Sequence, residues 1–167
     1  MMLKGLLPAD IDKLARRVVE ENAAAGRTVV LAESCTGGLV AGALTEIAGS
    51  SSVLDRGFVT YSNEAKMELL GVPSDIIETF GAVSIACAWA MAKGALERSR
   101  ADVAVAVSGV AGPGGGTLHK PVGTVVFARV VRGDVGKPDG ELKSFGDLGR
   151  AEVRRHATLC ALELLLP

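Results

Sequence analysis

The chain has 167 residues, 49% of them hydrophobic, and a formal net charge of −1; this length suits one domain over 1–167 that buries a substantial core, and two domains would not fit. Without a basic excess to neutralise phosphates, nucleic acid and anionic membrane are not expected as partners. No apolar stretch reaches the roughly 18–20 residues of a spanning helix, and Met1 to Asp10 lacks an apolar signal core, so a soluble, cytoplasmic protein is expected.

Behind Pro8 and Asp10, the residues Ile11, Leu14, Ala15, Val18 and Val19 recur at helical spacing until Gly26, which predicts an amphipathic opening helix. Thr28 to Ala32 predicts a buried strand. The turn Glu33-Ser34-Cys35-Thr36-Gly37-Gly38 follows, then Leu39, Val40, Ala43, Leu44 and Ile47 at helical spacing, so Ser34 is expected at the carboxyl end of a strand. Past the turn cluster Gly49 to Ser52, the β-branched and aromatic run Val53 to Tyr61 predicts a second strand. Ser62 suits a helix cap; short helices are expected over Asn63 to Leu70 and Ser74 to Phe80, and Ser84 caps a longer one from Ile85 to about Arg98. Asp102 to Ser108 alternates as a third strand. The glycine-rich loop Gly109 to Pro121 leads into a strand over Gly123 to Arg132, and a connection with no helical pattern favours an antiparallel return. Leu142 to Phe145 predicts a fifth strand beyond a flexible loop at Gly133 to Glu141. Arg150 to Leu166 predicts a closing helix that faces the core with Val153, Ala157, Ala161, Leu164 and Leu165. The expected fold class is α/β, a three-layer α/β/α sandwich with a five-stranded mixed sheet and one strand antiparallel.

Functional groups of open α/β sheets gather beyond the carboxyl ends of the strands. Segments 33–38, 61–66 and 108–120 fall at such ends and are expected to converge. Ser34 on a strand-to-helix turn suits a nucleophile, with the amides of Thr36, Gly37 and Gly38 free to receive an oxyanion. The same position equally suits a plain helix cap, or a phosphate site at the helix start. A phenol and an ammonium beside a serine activate it without histidine, and Tyr61 and Lys66 offer that pair. As purely structural residues they are a half-buried strand aromatic and a solvated helix charge. A base role for Lys66 requires its usual pKa of about 10.4 to fall by roughly three units, which only burial or charge supplies. Histidine is scarce: His119 and His156 would support a Ser-His-Asp triad only through one exposed loop residue. Cys35 is either a rival nucleophile or a small buried hydrophobe. Cys35, Cys87 and Cys160 form no CxxC pair, so neither a disulfide framework nor a metal site is expected, and no cofactor is implied. The run Gly109 to Gly116 fails the dinucleotide and Walker spacings. It reads as a loop of exposed amides suited to an anionic ligand, with Lys120 at its end, or as a long hairpin loop.

Six blocks occur in order: Ala32-Glu-Ser-Cys-Thr-Gly-Gly38, Gly49-Ser-Ser51, Gly57-Phe-Val-Thr-Tyr-Ser-Asn63 with Lys66, Gly81-Ala-Val-Ser84, Gly109-Val-Ala-Gly-Pro-Gly-Gly115 and Lys120-Pro-Val-Gly-Thr124. Together they closely resemble the CinA C-terminal domain family of competence- or damage-inducible proteins, from about residue 10 to the end. The resemblance implies an anticodon-binding-like α/β/α fold, a homo-oligomer, and a serine-type amidohydrolase that deamidates nicotinamide mononucleotide to nicotinic acid mononucleotide within pyridine-nucleotide recycling. It further implies Ser34 as nucleophile, Tyr61 and Lys66 as activating partners, and a substrate-binding set of Asn63, Ser108, Gly109, Gly112, Gly114, Gly115, Lys120 and Arg150, the phosphate meeting the 108–120 loop or Arg150. The competing expectation is a non-catalytic nucleotide-binding or interaction module. Two positions depart from the family pattern: Ser108 replaces the usual threonine, and Leu148-Gly149 precede Arg150 where relatives more often carry glycine and aspartate. The separate N-terminal domain of longer relatives is not expected within these residues.

Overall fold

The computed structural model describes residues 1–134, 136 and 139–167. Helix α1 (Ala9–Ala25) opens behind Pro8, carries Asp10 and Asp12 at the positive end of its dipole, and closes on Gly26 at φ 64°. Strand β1 (Val29–Glu33) is buried at every position, as a strand covered on both faces must be. Helix α2 (Leu39–Thr45) begins after Gly37 and Gly38, both at positive φ, and ends before Ile47. Strand β2 (Leu54–Val59) is shorter than the run Val53 to Tyr61, because Thr60 and Tyr61 leave the ladder to feed helix α3 (Asn63–Leu70), capped by the Ser62 hydroxyl on the Ala65 amide. Helices α4 (Ser74–Phe80) and α5 (Ile85–Glu97), strands β3 (Val103–Gly109), β4 (Thr124–Val131) and β5 (Asp139–Ser144), and helix α6 (Arg150–Leu164) complete the chain.

The strands lie in the order β2-β1-β3-β4-β5. β1 runs parallel to β2 and β3, and β4 runs antiparallel to both β3 and β5, so a single strand opposes the rest. The antiparallel return after Gly109 forms because the connecting loop carries no helix to make a crossover. The fifth strand starts earlier than expected: Asp139, Gly140 and Glu141 pair with β4 instead of belonging to a loop. Of the expected flexible loop Gly133 to Glu141, Val135, Lys137 and Pro138 lie outside the described residues.

Two cores sandwich the sheet. One joins α1, α2 and α6 to one sheet face through residues such as Val18, Leu44, Phe127 and Ala161; the other joins α3 and α5 to the opposite face through Leu70, Met91, Ala95 and Val126. The three-layer α/β/α arrangement follows. Within α6, Leu162 is fully buried while Leu164 is only half-buried, since the helical period carries the stripe from Thr158 to Leu162 and Leu165. α5 and α3 approach closely where Gly94 faces the Leu70 carbonyl, and a Cβ built on Gly94 would overlap that oxygen.

In an open helix position Gly→Ala stabilises by about 1 kcal/mol, but here the backbone of α3 would have to move. Gly94→Ala is expected to cost about 1–3 kcal/mol instead, as overpacking does, read as a lowered urea midpoint.

Candidate active site

Ser34 follows the last residue of β1, and its amide donates to Val107 O at 3.0 Å, which keeps the turn in register with β3. On the other side Thr60 N–H donates to Glu33 O at 2.8 Å, tying the end of β2 to the end of β1. The parallel β2-β1-β3 arrangement therefore brings three carboxyl ends together. From α3, Lys66 reaches back under this junction: its Nζ lies 3.0 Å from Ser34 Oγ and donates to Thr60 O at 2.8 Å. Lys66 is 1% exposed and Ser34 is 7% exposed. The solvated-charge reading of Lys66 is thus excluded by position.

Burial holds the Lys66 ammonium below its ordinary value of 10.5, with the thiols of Cys87 and Cys35 opposing the shift. The first and largest cause is loss of water. Cys35 is also buried, and burial pushes its thiol up to about 11. A thiol so raised carries little thiolate near neutrality, which makes Cys35 the weaker rival to Ser34.

A cavity of about 520 Å³ opens above Ser34 and Lys66. It brings together ten of the residues expected in a site: Ser34, Tyr61 and Lys66, then Asn63 and Ser108, then Gly109, Gly112, Gly114, Gly115 and Arg150. Ser108 is buried, and its hydroxyl donates to Ala82 O at 3.0 Å, so it fixes the segment before α5 against β3. Arg150, first residue of α6, donates to Gly112 O at 2.7 Å and to the Tyr61 hydroxyl at 3.1 Å. Tyr61 is 64% exposed and partnered by Arg150; no hydrogen bond joins it to Ser34 or Lys66. The amides of Ala111, Gly112, Gly114 and Gly115 donate to no oxygen among the described residues, and no carboxylate lines the cavity. Such a wall suits an anionic ligand.

Four expected residues fall outside this cavity. Lys120 donates to Phe80 O, so it tethers the end of α4 rather than facing the cavity. Thr36, Gly37 and Gly38 lie behind the wall, and the Gly37 amide is already taken by Ser34 O at 3.0 Å. The start of α2 is closed as well: Glu33, 1% exposed, accepts the Val40 and Ala41 amides with its two carboxylate oxygens, each at 3.0 Å. Of the expected trio of open helix-start amides, that of Gly37 is thus taken, while those of Thr36 and Gly38, and that of Cys35 before them, donate to no oxygen among the described residues; of these residues, Cys35 borders the cavity.

Two residues of this site escaped sequence reasoning. Glu33 was legible as a carboxylate at the mouth of a helix, the position the dipole favours. Arg154 lies one helical turn beyond Arg150 and donates to Cys35 O at 3.0 Å and Thr36 O at 3.3 Å; the spacing of four was its only signal.

The family model described as the CinA C-terminal domain matches residues 11–167. The chain is similar to the nicotinamide-nucleotide amidohydrolase PncC of Escherichia coli K12, 49% identical over 157 residues that cover 94% of this chain and 93% of that protein. A relative from Symbiobacterium thermophilum is 56% identical over 131 residues, covering 78% of this chain; the chain spans 31% of that longer protein. Among solved structures, the competence/damage inducible protein CihA from Agrobacterium tumefaciens matches with a TM-score of 0.91 at 54% identity, over 99% of this chain and 97% of that one.

The buried, protonated Cys35 generates one expectation for the folded protein. Iodoacetamide at pH 7.5 should leave Cys35 unmodified until urea unfolds the chain, as read by peptide mass spectrometry; rapid native labelling would return the thiol as a candidate nucleophile.

Proposed function

The chain belongs to the CinA C-terminal domain family, and on that footing we propose that it is a nicotinamide-nucleotide amidohydrolase, deamidating nicotinamide mononucleotide to nicotinic acid mononucleotide and ammonia. The observation that carries the reading is the buried contact between Ser34 Oγ and Lys66 Nζ at 3.0 Å. The activity of the E. coli relative, a nicotinamide-nucleotide amidohydrolase matched over nearly its whole length, supports the substrate.

In the proposed reaction Ser34 Oγ attacks the carboxamide carbon while neutral Lys66 Nζ takes the hydroxyl proton. The Thr60 carbonyl, accepting from Nζ at 2.8 Å, orients the amine toward Ser34. The oxyanion that forms is met by the Cys35 amide, the group next to the nucleophile at the cavity wall. Lys66 then passes its proton to the leaving nitrogen, ammonia departs, and a water activated by Lys66 releases the acid from the serine ester. The free amides of the 111–115 segment and the Arg150 guanidinium form the acceptor wall for the substrate phosphate, with Tyr61 and Asn63 at its side.

The direct test is ammonia release from nicotinamide mononucleotide. Ser34→Ala should lose on the order of 10³-fold or more in kcat while remaining folded, and Cys35→Ser should stay within about threefold of wild type, since a residue outside the proton path removes no transition-state contact. Nucleotide binding by folded wild-type protein without any ammonia would instead identify a binding module.

Lys66 also sets a pH dependence. Its folded-state pKa is depressed, so the neutral base is present at high pH and is lost as pH falls through that lowered value; kcat/KM should show an acid limb with its midpoint below 10.5. The sign for stability is the same: the unfolded chain binds this proton more tightly, so the cost of burying the ammonium grows as pH falls. Lys66→Met is therefore expected to abolish the limb and nearly all turnover while leaving the thermal midpoint equal to or above that of wild type.

A further inference from the structure

Arg154 stands outside the cavity, half-buried on α6, yet both of its hydrogen bonds end on the turn that carries Ser34. Its Nε holds the Cys35 carbonyl and its Nη2 holds the Thr36 carbonyl. The peptides of this turn are trans, and in a planar trans peptide the carbonyl and the amide of the next residue point in opposite directions. Holding Cys35 O toward α6 therefore turns the Thr36 amide the other way. Holding Thr36 O sets the plane of the Gly37 amide, and that amide in turn grips Ser34 O at 3.0 Å. The grip on Ser34 O faces the Cys35 amide away from the grip, by the same planarity. One guanidinium thus fixes three successive peptide planes behind the nucleophile. A lysine in its place has no planar fork and cannot hold two carbonyls in fixed relative orientation.

We infer that Arg154 is a positioning residue for the reaction: from the far side of the turn, through the Thr36 carbonyl and the Gly37 grip on Ser34 O, it orients the Cys35 amide that meets the oxyanion. The inference rests on the amidohydrolase reading above. Because this amide acts on charge that exists only in the transition state, losing its alignment lowers kcat and spares KM.

Steady-state ammonia release from nicotinamide mononucleotide by the intact wild-type chain, Arg154→Met and Arg154→Lys, with thermal unfolding of each, tests it. The expected result for Arg154→Met is a kcat lower by about 10- to 100-fold with KM within about threefold, and for Arg154→Lys a partial recovery. A lowered thermal midpoint with wild-type kcat in the folded variant, the mark of a merely structural role, overturns the inference. If Arg154→Met does not fold, Arg154→Lys decides by the same criterion. Wild-type protein that releases no ammonia overturns the amidohydrolase reading and this role with it; wild-type turnover accompanied by undiminished kcat in the variants overturns this role alone.

Discussion

Lys66 has lost its water. A lysine amine in bulk solvent is charged and cannot accept a proton near neutrality, and the strongest available means of changing that is to bury it. The fold does so by running α3 beneath the junction of three strand ends, where, among the described residues, the amine meets Thr60 O and Ser34 Oγ as its hydrogen-bond partners. An accompanying carboxylate would oppose the downward shift that burial imposes on the amine, and among the described residues no carboxylate pairs with Lys66. The desolvation is unfavourable to stability, and the surrounding aliphatic core offsets it: Val30, Ala32, Leu70, Met91 and Ala106 are all buried on the same side of the sheet.

The proposed base role of this amine needs the hydroxyl beside it to be held as firmly. Residues 33–38 are locked from several directions: β3 takes the Ser34 amide, α2 is anchored to the Glu33 carboxylate, and α6 reaches over with Arg154. Glu33 and Arg154 divide the work by chemistry. The carboxylate takes N–H groups and the guanidinium takes carbonyls, so between them they satisfy groups that a tight turn exposes without filling the cavity. The seven-residue α2 does not offer its N-terminus to a ligand, because its first-turn amides are already spoken for.

The remaining wall is built from backbone rather than side chains. Gly112 and Gly115 sit at positive φ, which lets the 109–116 loop fold back along the cavity with the amides of Ala111, Gly112, Gly114 and Gly115 donating to no oxygen among the described residues. Arg150 braces this loop through Gly112 O and joins it to Tyr61. Lys120, at the far end of the same loop, is bound to Phe80 O and keeps the loop against α4. Among the described residues the cavity lining holds no carboxylate but a buried amine at one end and free amides and a guanidinium along its side, an arrangement consistent with the proposed substrate.

Periodicity and punctuation sufficed for the order of elements, the antiparallel β4 and the three layers, because apolar spacing, Gly26, Ser62 and Ser84 are local signals that packing reinforces. They sufficed as well for the three segments that meet, since topology places strand ends together once the order is known. Boundaries where ladder pairing competes with pattern were not legible: β5 begins at Asp139, where exposed polar residues pair by backbone alone. Nor was the division of the polar residues. Thr36, Gly37, Gly38 and Lys120 carry the same chemistry as their neighbours, and only the directions of peptide planes and side chains put them behind the wall. The sequence by itself determined which groups were available and roughly where along the sheet they would fall. Tertiary structure alone decided that Lys66 is buried, that burial raises the Cys35 thiol, and that Glu33 and Arg154 hold the turn, because solvent exclusion and orientation depend on atoms brought together from segments as much as 119 residues apart.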